Sequence, residues 1–493
     1  MGFPTSFIPW LTICAGAFFW SGVVPAFVSG PEMPSRVKLS GVPEERVTLR
    51  SQTAPITSIN LAPTAEQLQA AGQKKVVSVP SIASILGLNE DTVRRPVPLA
   101  VGAVFPSGVG ARVVDWEPVA GGGHVTHFRI TSLGAQGIRA RLMLPPGLTE
   151  GDLRVVGRPG DLAEGVPLHV AQNGDIWTPF TDGQTQIVEL FTAQPVAGLV
   201  LKVADVGHYE VSPYALNPPP EPAIRSAASA CTVDVACAIS DDPFYGNSIA
   251  ERRKSVARMS FASGGRIFLC TGTLINSSAQ QDFFLTANHC ISTQAEATSL
   301  ETRWFYEASA CGGTVRSDVV SRSGGAQLVF TNQFQDYTLL RLNLPPPPGT
   351  VFAGWDANAL PVNSQVISLS HPDGDLMKFA RGIVSVPGVS DGLLRTEGYD
   401  QPMYGVLWSR GITEGGSSGS GLFTLSSGSL QLRGTLYVPR YETMRTGHHV
   451  PIRQRTTSIH ASITSFRRLH PFSTVRDSLR MMLPIKPRFQ LRR

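Results

Sequence analysis

Apolar and polar positions alternate over much of this chain, and the alternation changes character several times. From about residue 96 to 212 the text is turn-rich and of period two: "HVTHFRITSLGAQGIRARLMLPPG", "DIWTPFTDGQTQIVELFTA" and "AGLVLKVADVGHYEV" predict half-buried strands separated by Gly, Pro and Asp turns. This region reads as a small β-sandwich, and no catalytic grouping is visible in it. Residues 31 to about 95 are weakly patterned, with one short amphipathic piece and no clear core. "YALNPPPEPAIRSAASA" reads as an extended, exposed linker, which places a Pro-rich connection over 213–230. From 231 to about 437 strands return: "RIFLCTGTLI", "DFFLTANHC", "YTLLRL", "QVISLS", "YGVLWS" and "SLQLRGTLY". Strands this frequent, without helices between them, predict antiparallel barrels rather than βαβ units.

Composition supports an all-β reading, since 48 Gly and 38 Pro in 493 residues demand many turns. The length calls for two or three domains. The first charged residue is Glu32, and the apolar run before it, followed by small residues, suits an export signal over 1–30. The n-region lacks Lys and Arg, and Pro9 and Pro25 interrupt the run; an uncleaved anchor is the competing reading. Ile13 is bulky where a lipoprotein box around Cys14 needs a small residue. Five cysteines remain, Cys231, Cys237, Cys270, Cys290 and Cys311, all within 81 residues and none spaced as C-x-x-C. Export favours disulfides over zinc.

The charge balance also shifts along the chain. Residues 440–493 hold 12 Lys and Arg against Glu442 and Asp477, so the net charge of +5 conceals −5 over residues 1–439. Gly447 is the tail's one glycine. A basic tail can bind nucleic acid or anionic membrane, but this one carries no motif for either.

Three moderate signals then acquire meaning from their order. His289 ends the strand of "FFLTANHCIS", Asp336 opens that of "FQDYTLLRL", and Ser418 follows two glycines in "GITEGGSSGSGLF". They lie 47 and 82 residues apart, in the chain order of the chymotrypsin-type triad. A serine hydroxyl needs an imidazole to take its proton, and the imidazole needs a carboxylate to fix its tautomer. The oxyanion needs two preorganised N–H donors, here expected from Gly416 and Ser418. "GGSSGSG" is therefore read as a rigid loop and not a linker. An α/β-hydrolase reading fails, because Ser420 breaks G-x-S-x-G and the acid and histidine precede the serine.

The stretches "CTVDVACAISDD", "CTGTLINSSAQQDFFLTANHC", "DYTLLRL", "FAGWD", "ISLSHPDGDLMK", "GITEGGSSGSGLF" and "LRGTLY" resemble, in order over about 231–437, the bacterial lysyl endopeptidases and their trypsin-like relatives. The resemblance implies a chymotrypsin-like double antiparallel β-barrel preceded by a pro-region (31–225), and a secreted serine endopeptidase without cofactor or metal. It implies the pairs Cys270–Cys290 and Cys237–Cys311. Cys231 is left over, its family partner lying beyond the serine.

The expected partners are protein or peptide substrates cleaved after Lys or Arg, with no nucleic acid and no membrane after signal removal, the enzyme acting as a monomer. Ser417 stands where the family's relatives usually carry a buried Asp, so activation by an N-terminal ammonium is not expected. Arg225 is the expected processing site, with the mature enzyme beginning near Ser226. Ile412 occupies a position where trypsin-like pockets often carry an acid.

After Tyr437 the family's Gly-Gly-Pro-Ser-Ser-Cys, its Asp before a Tyr-Gly-Arg-Phe-like strand, and its closing helix are absent in frame. In a shifted frame the codons of Thr446–Val450 permit Gly, Ser or Pro, Ser and Cys. Those of Arg455–Ile463 permit Asp-Tyr-Phe-Asp-Ser-Arg-Phe-Asp. A frameshift near 437–444 would account for the lost glycine, the charge jump and the odd cysteine together. His448 and His449 adjoin in this tail without a third ligand. Two other functions compete: a catalytically impaired, protease-derived binding or adhesion protein, and an esterase with no peptide requirement.

Overall fold

The computed structural model describes residues 32–37, 47–72, 98–113, 115–213, 231–333, 335–384, 393–396 and 399–437. The export signal, Arg225 with most of its linker, and the basic tail with His448 and His449 lie outside the described residues.

Two sheets enclose the N-terminal core. One contains the strands Ile56–Leu61, His124–Ser132, Thr185–Thr192, Asp152–Val156 and Glu164–Pro167 in that spatial order. The facing layer carries Gly137–Met143, Val200–Tyr209 and Leu99–Arg112. Alternate residues point inward, so Phe128, Ile130, Ile138, Leu142, Val188 and Leu201 form one buried cluster. The weakly patterned stretch supplies more than the sequence suggested. Ile56–Leu61 pairs in parallel with His124–Ser132, and it places only Ile59 deep in the core. One buried side chain in six leaves almost no alternation to read.

The described strands that follow residue 231 curl into two barrels, and the chain is an all-β, chymotrypsin-like double barrel preceded by a sandwich. The first barrel packs Met259, Phe261, Phe268, Leu274, Phe284, Trp304 and Leu340 around its axis. The second packs Ile367, Leu369, Phe379, Phe423 and Leu432, with a further cluster about Val366, Val406 and Trp408. Cys237–Cys311 and Cys270–Cys290 are bonded, and exposed Cys231 belongs to neither pair.

The sandwich and the first barrel share one sheet. The strand Leu99–Arg112 pairs on one side with Val200–Tyr209 and on the other with Arg266–Ile275, antiparallel, at Ala103↔Arg266, Gly102↔Ile267, Ala100↔Phe268 and Leu99↔Leu269. Beneath the seam Val101, Phe180, Tyr209, Ile267 and Leu269 make a mixed apolar cluster. Polar contacts reinforce it: Arg139 Nη1 donates to Ser299 O at 3.0 Å, Phe180 N to Glu301 Oε2 at 2.9 Å, and Tyr209 Oη lies 3.0 Å from Ser260 Oγ.

Candidate active site

Asp336 and His289 bond each other, and Ser418 lies on a loop bonded to Thr271 of the strand Arg266–Ile275. Asp336 precedes the strand Tyr337–Leu342 and adopts φ +48°, a conformation that costs a non-glycine residue energy and marks a constrained position. Its carboxylate accepts from the backbone N of His289 at 2.8 Å and lies 2.7 Å from His289 Nδ1. The first bond fixes the loop and the second fixes the ring, so Nδ1 carries the proton and Nε2 is the basic nitrogen. His289 Nε2 is buried and has no hydrogen-bond partner. The Tyr437 ring meets the imidazole edge to face at 6.0 Å. The Cys270–Cys290 bond ties the residue after His289 to the strand Arg266–Ile275.

Ser418 is 2% exposed, on a loop whose shape is dictated by glycine. Gly416 has φ +89°, and a Cβ there would lie 2.6 Å from His371 O. Gly419 has φ +81°, and its Cβ would lie 2.2 Å from Thr286 Oγ1 and 2.5 Å from Thr271 O. Neither position accepts another residue without displacing backbone. The loop closes through Ser417 N to Glu414 O at 3.0 Å and Ser420 N to Ser417 O at 3.1 Å. Thr271 N donates to Ser418 O at 2.9 Å, and Asp373 N to Gly415 O at 2.6 Å. Among the described residues no backbone carbonyl accepts from the N–H of Gly416 or Ser418.

Several supporting residues escaped the sequence reading. Thr271 Oγ1 donates to Gly416 O at 2.9 Å and accepts from His371 N at 3.1 Å. Ser370 Oγ donates to Ser417 Oγ at 3.0 Å. Ser417, fully buried, is thus held by neutral hydrogen bonds where an ammonium–carboxylate pair would otherwise set the loop. His371 is buried with Nδ1 2.9 Å from Asp375 O, and burial holds its pKa down to about 3. It is neutral and stacks on Tyr306 at 6.0 Å. Its signal was present in "SHPDGDLMK", but a local motif does not show which loop it will support. Ile412 is half-buried and Thr413 buried beside this loop.

The model of the lysyl endopeptidase C-terminal domain matches residues 226–442, and that of the lysyl endopeptidase N-terminal domain matches 103–210. A lysyl endopeptidase of Pseudomonas aeruginosa is 34% identical over 377 residues, covering 70% of this chain and 78% of the relative. The chain belongs to the lysyl endopeptidase family. It is a serine endopeptidase. A secreted RxLR effector protein of Plasmopara viticola is 24% identical over 266 residues, covering 52% of this chain and 63% of its own. Among solved structures, a serine endoprotease from Yersinia pestis aligns at 16% identity and a TM-score of 0.30, over 45% of this chain and 62% of its own. An HtrA-type protease with a bound tripeptide aligns at 17% and 0.31, over 45% and 61%.

Proposed function

We propose that the protein is a secreted endopeptidase that cleaves after Lys or Arg through His289, Asp336 and Ser418. The observation that carries this reading is the double grip of Asp336 on His289, which leaves a buried, unpartnered Nε2 in a chain that also builds a glycine-shaped serine loop. In this mechanism Nε2 takes the Ser418 proton as Oγ attacks the peptide carbonyl. The N–H groups of Gly416 and Ser418 receive the oxyanion. The imidazolium, stabilised by Asp336, returns the proton to the leaving amine, and water repeats the sequence on the acyl-enzyme. Selectivity for a basic residue is supported by membership of the lysyl endopeptidase family.

In the same reading residues 31–225 are a pro-region, 231–437 the protease domain, and Arg225 the processing site. Labelling of Ser418 by a fluorophosphonate tests the proposal. Labelling that survives in His289→Ala at the original rate would sink it. Comparison of Lys, Arg and Leu peptide amides tests the specificity, and intact mass of the processed protein tests Arg225.

A further inference from the structure

One edge of the strand Arg266–Ile275 is divided among three partners. Phe283–Thr286 pairs with Thr273–Ile275, Ser418 O receives Thr271 N, and Leu99–Ala103 pairs with Arg266–Leu269. Leu99 therefore sits opposite a residue two positions from the one that bonds the nucleophile, about 7 Å along the strand. The pairing is antiparallel, so the chain arrives at Leu99 from the direction of Ser418, through buried Pro98, and runs away from it. A peptide whose carbonyl is attacked by Ser418, and whose leaving-group residues lie along this edge, has that same polarity.

The side chain of Leu99 is placed accordingly. Its atoms would lie 3.9–4.0 Å from a Cβ at Gly415 and 3.9 Å from one at Gly374, the residues that abut the oxyanion loop. Leu99 is half-buried there and packs against the apolar cluster of Val101, Ile267 and Leu269. Strand addition to an exposed edge supplies affinity through the backbone and selectivity through alternate side chains. The loop itself is already built in this form, since Ser417 is held by Ser370. The neutral support leaves access to the cleft, and not assembly of the oxyanion loop, as the step open to control.

We propose that Pro98–Gly102 occupies the leaving-group half of the substrate cleft with substrate polarity. While docked, the sandwich excludes peptides that extend beyond the scissile bond and leaves Ser418 open to small acyl donors. This inference rests on the endopeptidase reading of Ser418. It also assigns the vacated subsite a preference for an apolar residue, second after the scissile bond, in the place of Leu99.

The test compares the full chain with Leu99→Glu on two substrates. One is a Lys ester with a small leaving group, and the other an internally quenched peptide with three residues beyond the cleaved bond. Ester turnover is expected to stay within about twofold while peptide cleavage rises about tenfold or more. An equal rise on both substrates, or none on the peptide, overturns the inference.

A second variant reads the geometry without activity. Leu99→Cys with Gly415→Cys places the two Cβ atoms 4.0 Å apart, within the ~3.5–4.5 Å that a disulfide spans. Mild oxidation followed by peptide mapping should recover the 99–415 crosslink, and its absence overturns the placement. If Ser418 resists the fluorophosphonate in every variant, the endopeptidase reading fails, and the crosslink still decides where the strand lies.

Discussion

Asp336 holds His289 twice, once by the backbone N–H at 2.8 Å and once by ring Nδ1 at 2.7 Å. The two bonds separate loop position from ring tautomer. Asp336→Asn retains an acceptor for the backbone N–H but presents an amide to the ring, which favours the wrong tautomer. We expect kcat to fall by about 10³–10⁴, with a melting temperature close to wild type. A matching loss of fold would show that the residue acts through structure alone.

Gly416→Ala should separate catalysis from stability in a different way. A Cβ 2.6 Å from His371 O at φ +89° must push the oxyanion loop outward. We expect kcat on ester and amide substrates to drop about 10²–10³, the usual worth of one oxyanion donor. Unchanged kcat would mean that this N–H is not a donor.

Ser417→Asp restores the acid usual in trypsin-like relatives and should be harmful here. Ser417 is fully buried among hydroxyl and amide partners, Ser370 Oγ and Glu414 N. An unpaired carboxylate in that place should cost about 3 kcal/mol or more, read as a lower denaturant midpoint at pH 7. Recovery of the midpoint at acidic pH, where the carboxyl is neutral, would identify the charge as the cause.

His371 should make the protein acid-sensitive. Burial lowers its pKa from 6.5 to about 3, with Arg258 and Lys378 acting in the same direction and the Asp375 carbonyl opposing. Its contribution is therefore complete above pH 6.5 and is lost as the pH falls from 6.5 towards 3. Denaturant midpoints between pH 7 and 4 should fall less steeply in His371→Asn than in the parent chain. Parallel slopes would exclude His371 as the titrating group.

Two parts of the candidate site follow stretches that stand out in the chain: His289 bonds Asp336, and Gly416 and Gly419, close together in the sequence, shape the loop of Ser418. "RIFLCTGTLI" matches the observed strand Arg266–Ile275 residue for residue. What could not be read was pairing between distant segments. Alternation says that Leu99–Arg112 and Arg266–Ile275 are strands, and nothing local says that they are neighbours. Thr271, Ser370 and His371 were likewise invisible as supports, since their partners lie 47 to 145 residues away. The parallel strand Ile56–Leu61 was missed for a simpler reason, having one deeply buried residue to betray it.

The shared sheet has a consequence for the chain should the sandwich be separated from the barrels. Ile267 and Leu269 are fully buried in a cluster shared with Val101, Phe180 and Tyr209 of the sandwich, and Glu301 would lose its Phe180 and Arg139 partners while keeping Ser323. Separation would open one edge of the strand along Arg266–Leu269, flanked by apolar side chains. Such an edge is sticky towards any extended chain, including another copy of itself. Barrels freed of the sandwich would then carry, two residues along the strand from the one bonded to Ser418, a surface prone to self-association, and their lifetime in solution would depend on how quickly another strand covers it.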